Sequence, residues 1–464
     1  MTHYHFIGIG GTGLSAIARV LVEKGHTVSG SDKVLSPQAQ ELQSIGVRVM
    51  TGHDAKNVVG ADIVIRSSAV RDENPEVIAA RNAGIPVLKR YQMLAELTRG
   101  QDVLAIAGTH GKTTTTAMTA WVLTCLGKDP SFVLGSEVRD LGLNAGYGKG
   151  KFFVIEADEY DNMFLGLEPR AAIVTFLEHD HPDCFPTFEE YKAAFVRFIQ
   201  KCQPGGLLVL NRDEPGTYSL FKHALAGTMV VTFGAHPASD YRISEATINA
   251  QGGYTFSLLR QHDGRQAEFL CRVDLVVPGE HNMRNAAAVL ALVHQLGVDP
   301  VPAAQALGEF HGAGRRFEVR GEASGVVVID DYAHHPTEIR ATLLAARSCY
   351  PGRRIWAVWQ PHTFTRVQAL EEEFAQSFED ADQVIVTEIY AARESGNSYS
   401  SVSIVQKMNQ PPVQFSESLE LAQILLLQQL QPGDVLLVLS AGDADRISAG
   451  VFEALNERGE GNDR

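Results

Sequence analysis

The sequence predicts an α/β protein of three domains, each built on a doubly wound, mainly parallel sheet. Three observations carry that prediction. Short apolar runs alternate with helical stretches along the length of the chain. Two glycine-rich loops, GIGGTG at 8–13 and GTHGKTTTT at 108–116, each follow such a run and open a helix. At 464 residues the chain is too long for one core, and roughly three domains is the ordinary division.

The first domain is placed at residues 1–98, with strands in YHFIGIG, HTVSGSD, VRVMTG, ADIVIRSSA and IPVLKR. Gly8, Gly10 and Gly13 form G-x-G-x-x-G between a strand and a helix, and Asp32 ends the next strand. This is the Rossmann-like fingerprint of a dinucleotide site. Taken alone it reads as NAD binding, so an NAD-dependent oxidoreductase is one reading of the chain.

The second domain, residues 99–319, starts at DVLAIAG and is expected to be a P-loop ATPase-like parallel sheet. Gly108 and Gly111 allow the backbone to approach phosphate oxygens, and the helix that follows aims unpaired N–H groups at them. Lys112 supplies a cation and Thr113 a hydroxyl suited to magnesium. Ile106 stands where the strict P-loop pattern has its first glycine. The strands FFVIEADE, AAIVTFLEHD and GLLVLNRDE follow, then a more polar β-like insert at 229–278. A triphosphate loop beside a separate Rossmann-like start suggests one nucleotide that labels the substrate and another that powers the reaction.

Polar clusters stand where strands end, the place at which parallel sheets open onto ligand crevices. Glu156 and Glu159 close one strand, and Asp180 and His181 close the next. His281, Asn282 and Asn285 gather at a helix start, with amides suited to the edge of adenine or to capping the helix. Arg315 and Arg316 follow a glycine loop. The third domain, 320–464, carries VVVIDDYA, RIWAVWQPH, DQVIVTEIY and DVLLVLSAG as strands in a Rossmann-like α/β unit. DDYAHHPTEI at 330–339 and QPHTFTR at 360–366 offer further carboxylates, histidines and Arg366. The terminal NERGEGNDR is expected to be disordered.

A formal charge of −15 argues against nucleic acid as a partner. No apolar run of ~20 residues is long enough for membrane insertion. Five scattered cysteines without a C-x-x-C pair, and the absence of an export signal, suggest a reduced, cytoplasmic protein.

In this order, GIGGTG, GTHGKTTTT, EADE, E-x-D-H, H-N-x-x-N, G-x-x-RRFE, DDYAHHP and QPH-x-x-x-R resemble the Mur ligases of peptidoglycan synthesis across nearly the whole chain. The resemblance implies an ATP- and Mg2+-dependent ligase, a monomer or weak homodimer, that joins L-alanine to UDP-N-acetylmuramate through an acyl phosphate. An alternative within the family attaches a murein tripeptide to the same sugar nucleotide. By the same resemblance Gly10, Gly11, Thr12, Gly13, Ser31, Asp32, Ser67 and Ser68 bind the UDP-sugar. ATP falls to Gly108, Thr109, His110, Gly111, Lys112, Thr113 and Thr114, with His281, Asn282, Asn285, Arg316 and Asp331. Lys112, Glu156 and His181 are the implied catalytic residues, and Thr113, Glu156 and His181 the implied metal ligands. His335, His362 and Arg366 surround the amino acid. Phe195 falls where sibling ligases carry a carbamylated lysine, which favours the alanine-adding branch. Phe176 replaces an asparagine and Thr363 an arginine found in relatives, leaving Arg366 a larger share of carboxylate recognition.

Overall fold

Sheets of five, ten and six strands follow one another along the chain in the computed structural model, which describes residues 1–261, 267–392, 394 and 399–462. The first sheet contains β1 (His3–Ile7), β2 (Thr27–Asp32), β3 (Arg48–Thr51), β4 (Ile63–Arg66) and β5 (Val87–Lys89). Its order is β3-β2-β1-β4-β5 and every pairing is parallel. The winding reverses between β1 and β4, so their C-terminal ends form the crevice where a doubly wound sheet takes its ligand. The helix Thr12–Glu23 buries Leu14, Ile17, Val20 and Leu21, a helical stripe that covers one face of the sheet.

The ten-stranded sheet holds β6 (Asp102–Ala107), β7 (Ser131–Val138), β8 (Leu143–Gly146), β9 (Phe152–Glu156) and β10 (Ala171–Val174). It continues through β11 (Leu207–Asn211), β12 (Met229–Gly234), β13 (Tyr241–Ile248), β14 (Tyr254–Arg260) and β15 (Glu268–Asp274). The order is β15-β14-β13-β12-β11-β10-β6-β9-β7-β8. The segment read as an insert is therefore part of this sheet: β12 pairs in parallel with β11, and β13 to β15 add an antiparallel edge. The middle strands are apolar throughout because helices cover both faces. Lys112–Cys125 and Glu280–Gln295 pack on one side, and Phe188–Ile199 on the other. Phe195 is fully buried against Phe164 and Tyr191, where it can serve only as core.

The last sheet contains β16 (Glu318–Ala323), β17 (Val326–Asp331), β18 (Ile355–Gln360), β19 (Gln383–Thr387), β20 (Val413–Ser416) and β21 (Val435–Ser440). Its order is β16-β17-β21-β18-β19-β20, with β16 antiparallel at the edge. β16 and β20 were not among the expected strands, and the division at 319–320 falls inside β16. Both are short or charged edge strands, whose sequence lacks an apolar run. Trp356 and Trp359 of β18 enter cores on opposite faces, as alternation along a strand requires. The tail expected to be disordered continues the helix Asp445–Asn462; Asp463 and Arg464 lie outside the described residues. Ile447, Val451 and Leu455 anchor that helix on the sheet, and its polar end extends from the anchored turns.

Ser31, expected to line the nucleotide cleft, is instead buried beneath it. Its hydroxyl donates to the Glu76 carboxylate at 2.5 Å, and Asn57 Nδ2 donates to the same carboxylate at 2.5 Å. Burial pushes the Glu76 carboxyl up, but His5, Ser31 and Asn57 together bring it down to about 2 from an ordinary 4.5. A carboxyl depressed on folding adds stability that is complete above its unfolded value and is lost as pH falls through its folded one. Glu76→Gln should therefore cost about 1–3 kcal/mol near neutrality. Urea unfolding across a pH series should show the gap to the parent narrowing as pH drops from 4.5 towards about 2.

Candidate active site

The glycine loop at 108–111 follows β6, and its glycines are fixed by their neighbours. A Cβ on Gly108 would stand 2.1 Å from Thr175 Oγ1, and one on Gly111 2.8 Å from Asn285 Oδ1. Both residues have positive φ, 141° and 78°. Lys112 Nζ donates to the carbonyls of Gly108 and Thr109 at 2.6 and 3.0 Å and to Glu159 at 3.0 Å. Burial opposes the charges, yet Lys112 and Glu159 hold each other ionised: the ammonium is raised, and the carboxyl lies at about 2. Tyr191 also donates to Glu159, at 3.0 Å. Thr114 is buried in the first turn of the helix.

Thr113 Oγ1 donates to Glu156 Oε1 at 3.0 Å, and Gly135 N donates to the other carboxylate oxygen at 2.9 Å. A hydroxyl and a carboxylate at a helix N-terminus make a hard-oxygen pair that fits a phosphate-bound Mg2+. His181 belongs to a second cluster. Its Nε2 lies 3.5 Å from Glu159 and 3.7 Å from Asp180, which raise its pKa against the effect of burial. Its φ of +54° is strained for a residue with a side chain, as functional loops often are.

Asn282 and Asn285 sit beside this loop at the start of the helix Glu280–Gln295. Asn282 Nδ2 donates to Pro278 O at 2.7 Å, and Asn285 Nδ2 to Asn282 Oδ1 at 3.2 Å. Neither is the N-cap, which is Gly279. Burial and the adjacent Arg316 lower His281 to about 4, so its ring is neutral.

The last domain closes over these groups. His335 caps the helix Pro336–Cys349, and its Nδ1 lies 3.2 Å from Glu178 Oε1. His110 stands between two carboxylates, with Nε2 2.5 Å from Glu178 and Nδ1 3.1 Å from Glu338. Burial would lower its pKa, but Glu338 and Glu178 raise it to about 9. Arg316 lies 3.6 Å from Glu338. Asp331 accepts from the amides of Phe317 and Ala333 at 2.6 and 2.7 Å, and burial raises its carboxyl to about 6. Arg366 Nε donates to Asp180 at 2.8 Å, with both side chains 4% exposed. Its Nη1 and Nη2 point to His362 Nδ1 and His181 Nδ1, each at 3.3 Å. Arg366 is thus held edge-on by Asp180 and presents its other nitrogens to two histidines. Thr363, at φ +62°, starts the short helix that carries Arg366. Phe176 packs on the His110 ring, with centroids 5.5 Å apart.

At the other end, Gly11, Thr12, Gly13, Ser67 and Ser68 line a cleft of about 210 Å3 with Arg90, Asp158 and Tyr160. Asp32 accepts from Gly10 N at 2.8 Å and so fixes the loop. A Cβ on Gly13 would stand 2.7 Å from the Arg90 guanidinium. Sequence reasoning passed over Arg90, Glu178 and Glu338. Glu178 stood inside E-x-D-H, and Glu338 one helical turn after the histidine pair, so spacing alone could have flagged both.

Three family models match in sequence: Mur ligase family, catalytic domain, at residues 3–102; Mur ligase middle domain at 106–293; and Mur ligase, glutamate ligase domain, at 315–442. The chain belongs to the Mur ligase family. It is 41% identical to the UDP-N-acetylmuramate--L-alanine ligase of Roseiflexus sp. (strain RS-1), over 98% of this chain and 100% of that one. Identity to the enzyme of the same name from Chloroflexus aggregans is 43%, over 98% of each. Among solved structures, the UDP-N-acetylmuramate-alanine ligase of Thermotoga maritima superposes with a TM-score of 0.81 at 30% identity, covering 99% of this chain and 100% of that one. A murein peptide ligase from Psychrobacter arcticus gives 0.72 at 26%, covering 98% and 99%. Membership of this ATP-dependent ligase family removes the NAD-dependent oxidoreductase as a reading of GIGGTG.

The contacts across the central and last sheets make domain closure sensitive to charge. A histidine raised on folding contributes fully below its ordinary 6.5 and loses that contribution as pH rises through about 9. The radius of gyration from small-angle scattering should accordingly increase as pH passes about 9. Asp180→Asn leaves the Arg366 guanidinium buried without its anion, which should weaken the docked state by about 3–5 kcal/mol. The same scattering measurement should then show an open form at neutral pH.

Proposed function

We propose that this chain joins L-alanine to UDP-N-acetylmuramate with ATP, giving UDP-N-acetylmuramoyl-L-alanine, ADP and phosphate. The observation that carries the reading is end-to-end likeness to relatives of that activity, 41% and 43% identical. The site supports it, because Lys112 and His181 share Glu159, and Asp158 and Tyr160 beside Glu159 line the cleft of the first glycine loop.

A carboxylate does not condense with an amine at neutral pH, because its oxygen is a poor leaving group. Transfer of the γ-phosphoryl group of ATP to the lactyl carboxylate makes an acyl phosphate, whose phosphate leaves readily. Gly108 to Thr114 bind the triphosphate. Lys112, already charged and screened by Glu159, moves its ammonium to the phosphate being transferred and offsets its repulsion by the incoming carboxylate. Thr113 and Glu156 would hold Mg2+, which supplies further neutralisation of the phosphates when bound. His181 stands across Glu159 from Lys112, where the substrate carboxylate and γ-phosphate would meet. Asn282, Asn285 and His281 flank the adenosine, and Arg316 and Asp331 reach it from the last domain. Gly10 to Gly13, Ser67 and Ser68 hold the UDP-sugar with Asp32 fixing the loop. Arg366, His362 and His335 surround alanine, whose amine attacks the acyl carbon once neutral. Closure of the last domain excludes the water that would otherwise hydrolyse the acyl phosphate.

We further propose that the enzyme works in the cytoplasm as a monomer or weak homodimer. No disulfide joins any of the five cysteines, and no helix among the described residues is long and apolar enough to cross a membrane.

Lys112→Ala should lower kcat at least ~10²–10³-fold with the fold retained, since the lost charge acts on the transferring group. Near-parental ADP release from a folded variant would remove the assignment of ATP to this loop. Glu156→Gln should shift the Mg2+ titration to higher concentration, because an amide is a weaker ligand for a hard dication. Superimposable titrations would make Glu156 structural. With UDP-N-acetylmuramate, ATP and Mg2+, alanine should outpace glycine, serine, glutamate and a murein tripeptide in ADP release. A tripeptide that outpaced alanine would reassign the chain to the recycling branch.

A further inference from the structure

We propose that His110, Glu178 and His335 form an inhibitory site for a transition-metal ion of zinc's class, bridging the central and last domains. The inference rests on the closed arrangement of the protein and not on which amino acid it joins.

One ligand atom from each of the three side chains can be chosen so that all lie within 4.8 Å of one another. Two imidazoles and a carboxylate suit Zn2+, Co2+ or Ni2+, whereas Mg2+ favours the oxygen pair of Thr113 and Glu156. The two metal preferences therefore separate by chemistry within one cleft. Three protein ligands leave a fourth tetrahedral position for water or an incoming amine.

The ligands are held from behind. Thr175 Oγ1 donates to the His110 carbonyl at 2.5 Å, which fixes the loop. Thr109 Oγ1 receives the Glu178 amide and donates to the Glu178 carbonyl, at 3.1 and 2.9 Å. His335 is fixed as a helix cap, is 4% exposed, and leaves Nε2 buried without a hydrogen-bond partner. Behind His110, Nδ1 faces Glu338 at 3.1 Å. A carboxylate on the far nitrogen of an imidazole is the usual support of a metal-bound histidine, because it fixes the tautomer and strengthens the ligand. The ion would take the place of the proton shared between His110 Nε2 and Glu178, and that proton would leave to solvent.

His110 and Glu178 belong to the central domain and His335 to the last. The set is complete only when the two are docked, so an ion bound there favours the docked state by mass action. Turnover requires that state to open for product release, which makes the bound ion an inhibitor.

Equilibrium dialysis of the full-length, substrate-free protein against Zn2+ in excess Mg2+ tests the site directly. One Zn2+ per chain should be retained, and the same ion should raise the melting temperature. His335→Ala and Glu178→Gln should each weaken Zn2+ binding by at least ~100-fold, since loss of a supporting group alone costs about 10–100-fold. Glu338→Gln leaves all three ligands in place and should weaken it about 10–100-fold, which keeps the test decisive if a ligand variant fails to fold. Glu156→Gln should leave Zn2+ binding unchanged. Absence of retained Zn2+, binding unaltered in the three cluster variants, or loss in Glu156→Gln would each overturn the site. None of these readouts uses a substrate, so failure here is distinct from failure of the alanine-ligase reading.

Discussion

Asp180 and Arg366 are both almost wholly buried, and each sits on a different domain. Either charge held alone at that depth would cost several kcal/mol, because burial penalises an isolated charge. The pair therefore exists only when the central and last sheets are docked, with His181 and His362 as its further neighbours. His110 with Glu338 repeats the arrangement a few residues away, while His335, lowered to about 4 mainly by burial and so neutral, faces Glu178 beside it. A buried ion pair adds little to stability relative to apolar packing, but it strongly penalises a misaligned interface. In this protein the candidate site lies at the interface, so register between domains and geometry of the site are one constraint.

The two glycine loops show the same local solution put to different ends. Each follows a central parallel strand and opens a helix, so backbone N–H groups gather at a strand C-terminus. What differs is the company each keeps. At the first, Asp32 and Arg90 approach so closely that side chains on Gly10 and Gly13 would collide with their surroundings. At the second, Thr175 and Asn285 play that part, and Lys112 is balanced by Glu159. One loop faces the cleft lined by Ser67, Ser68 and Arg90 at the edge of the central domain, and the other faces the closing domain. The shared core between the helix Thr12–Glu23 and the central sheet keeps the first two domains in fixed relation.

Much of the architecture was legible in the chain. Strands such as DVLAIA and VLLVLS are apolar runs bounded by polar residues, and burial on both faces leaves a parallel strand no other composition. The two glycine loops were equally legible, because a strand-to-helix turn with positive φ needs glycine at particular positions. β16 and β20 were not, since edge strands carry no apolar pattern. The segment 229–278 was recognised as β-rich but not as an extension of the sheet, for pairing partners are a property of the fold. The helical end of the tail was missed because its stability comes from upstream residues packed on the sheet.

The sequence by itself determined the order of the βα units, the two glycine-rich loops and the membership of the charged groups at strand ends. These follow from periodicity and from backbone chemistry, which act over a few residues. Only the tertiary structure decided which of those groups meet. It turned Ser31 away from the cleft and onto Glu76, gave Arg366 to Asp180, and placed His110 between Glu178 and Glu338. The partners in those contacts are separated by 45, 186, 68 and 228 residues, respectively. Ionisation follows the partner and its burial, so the protonation of His110 was settled by docking two sheets and not by anything near it in the chain.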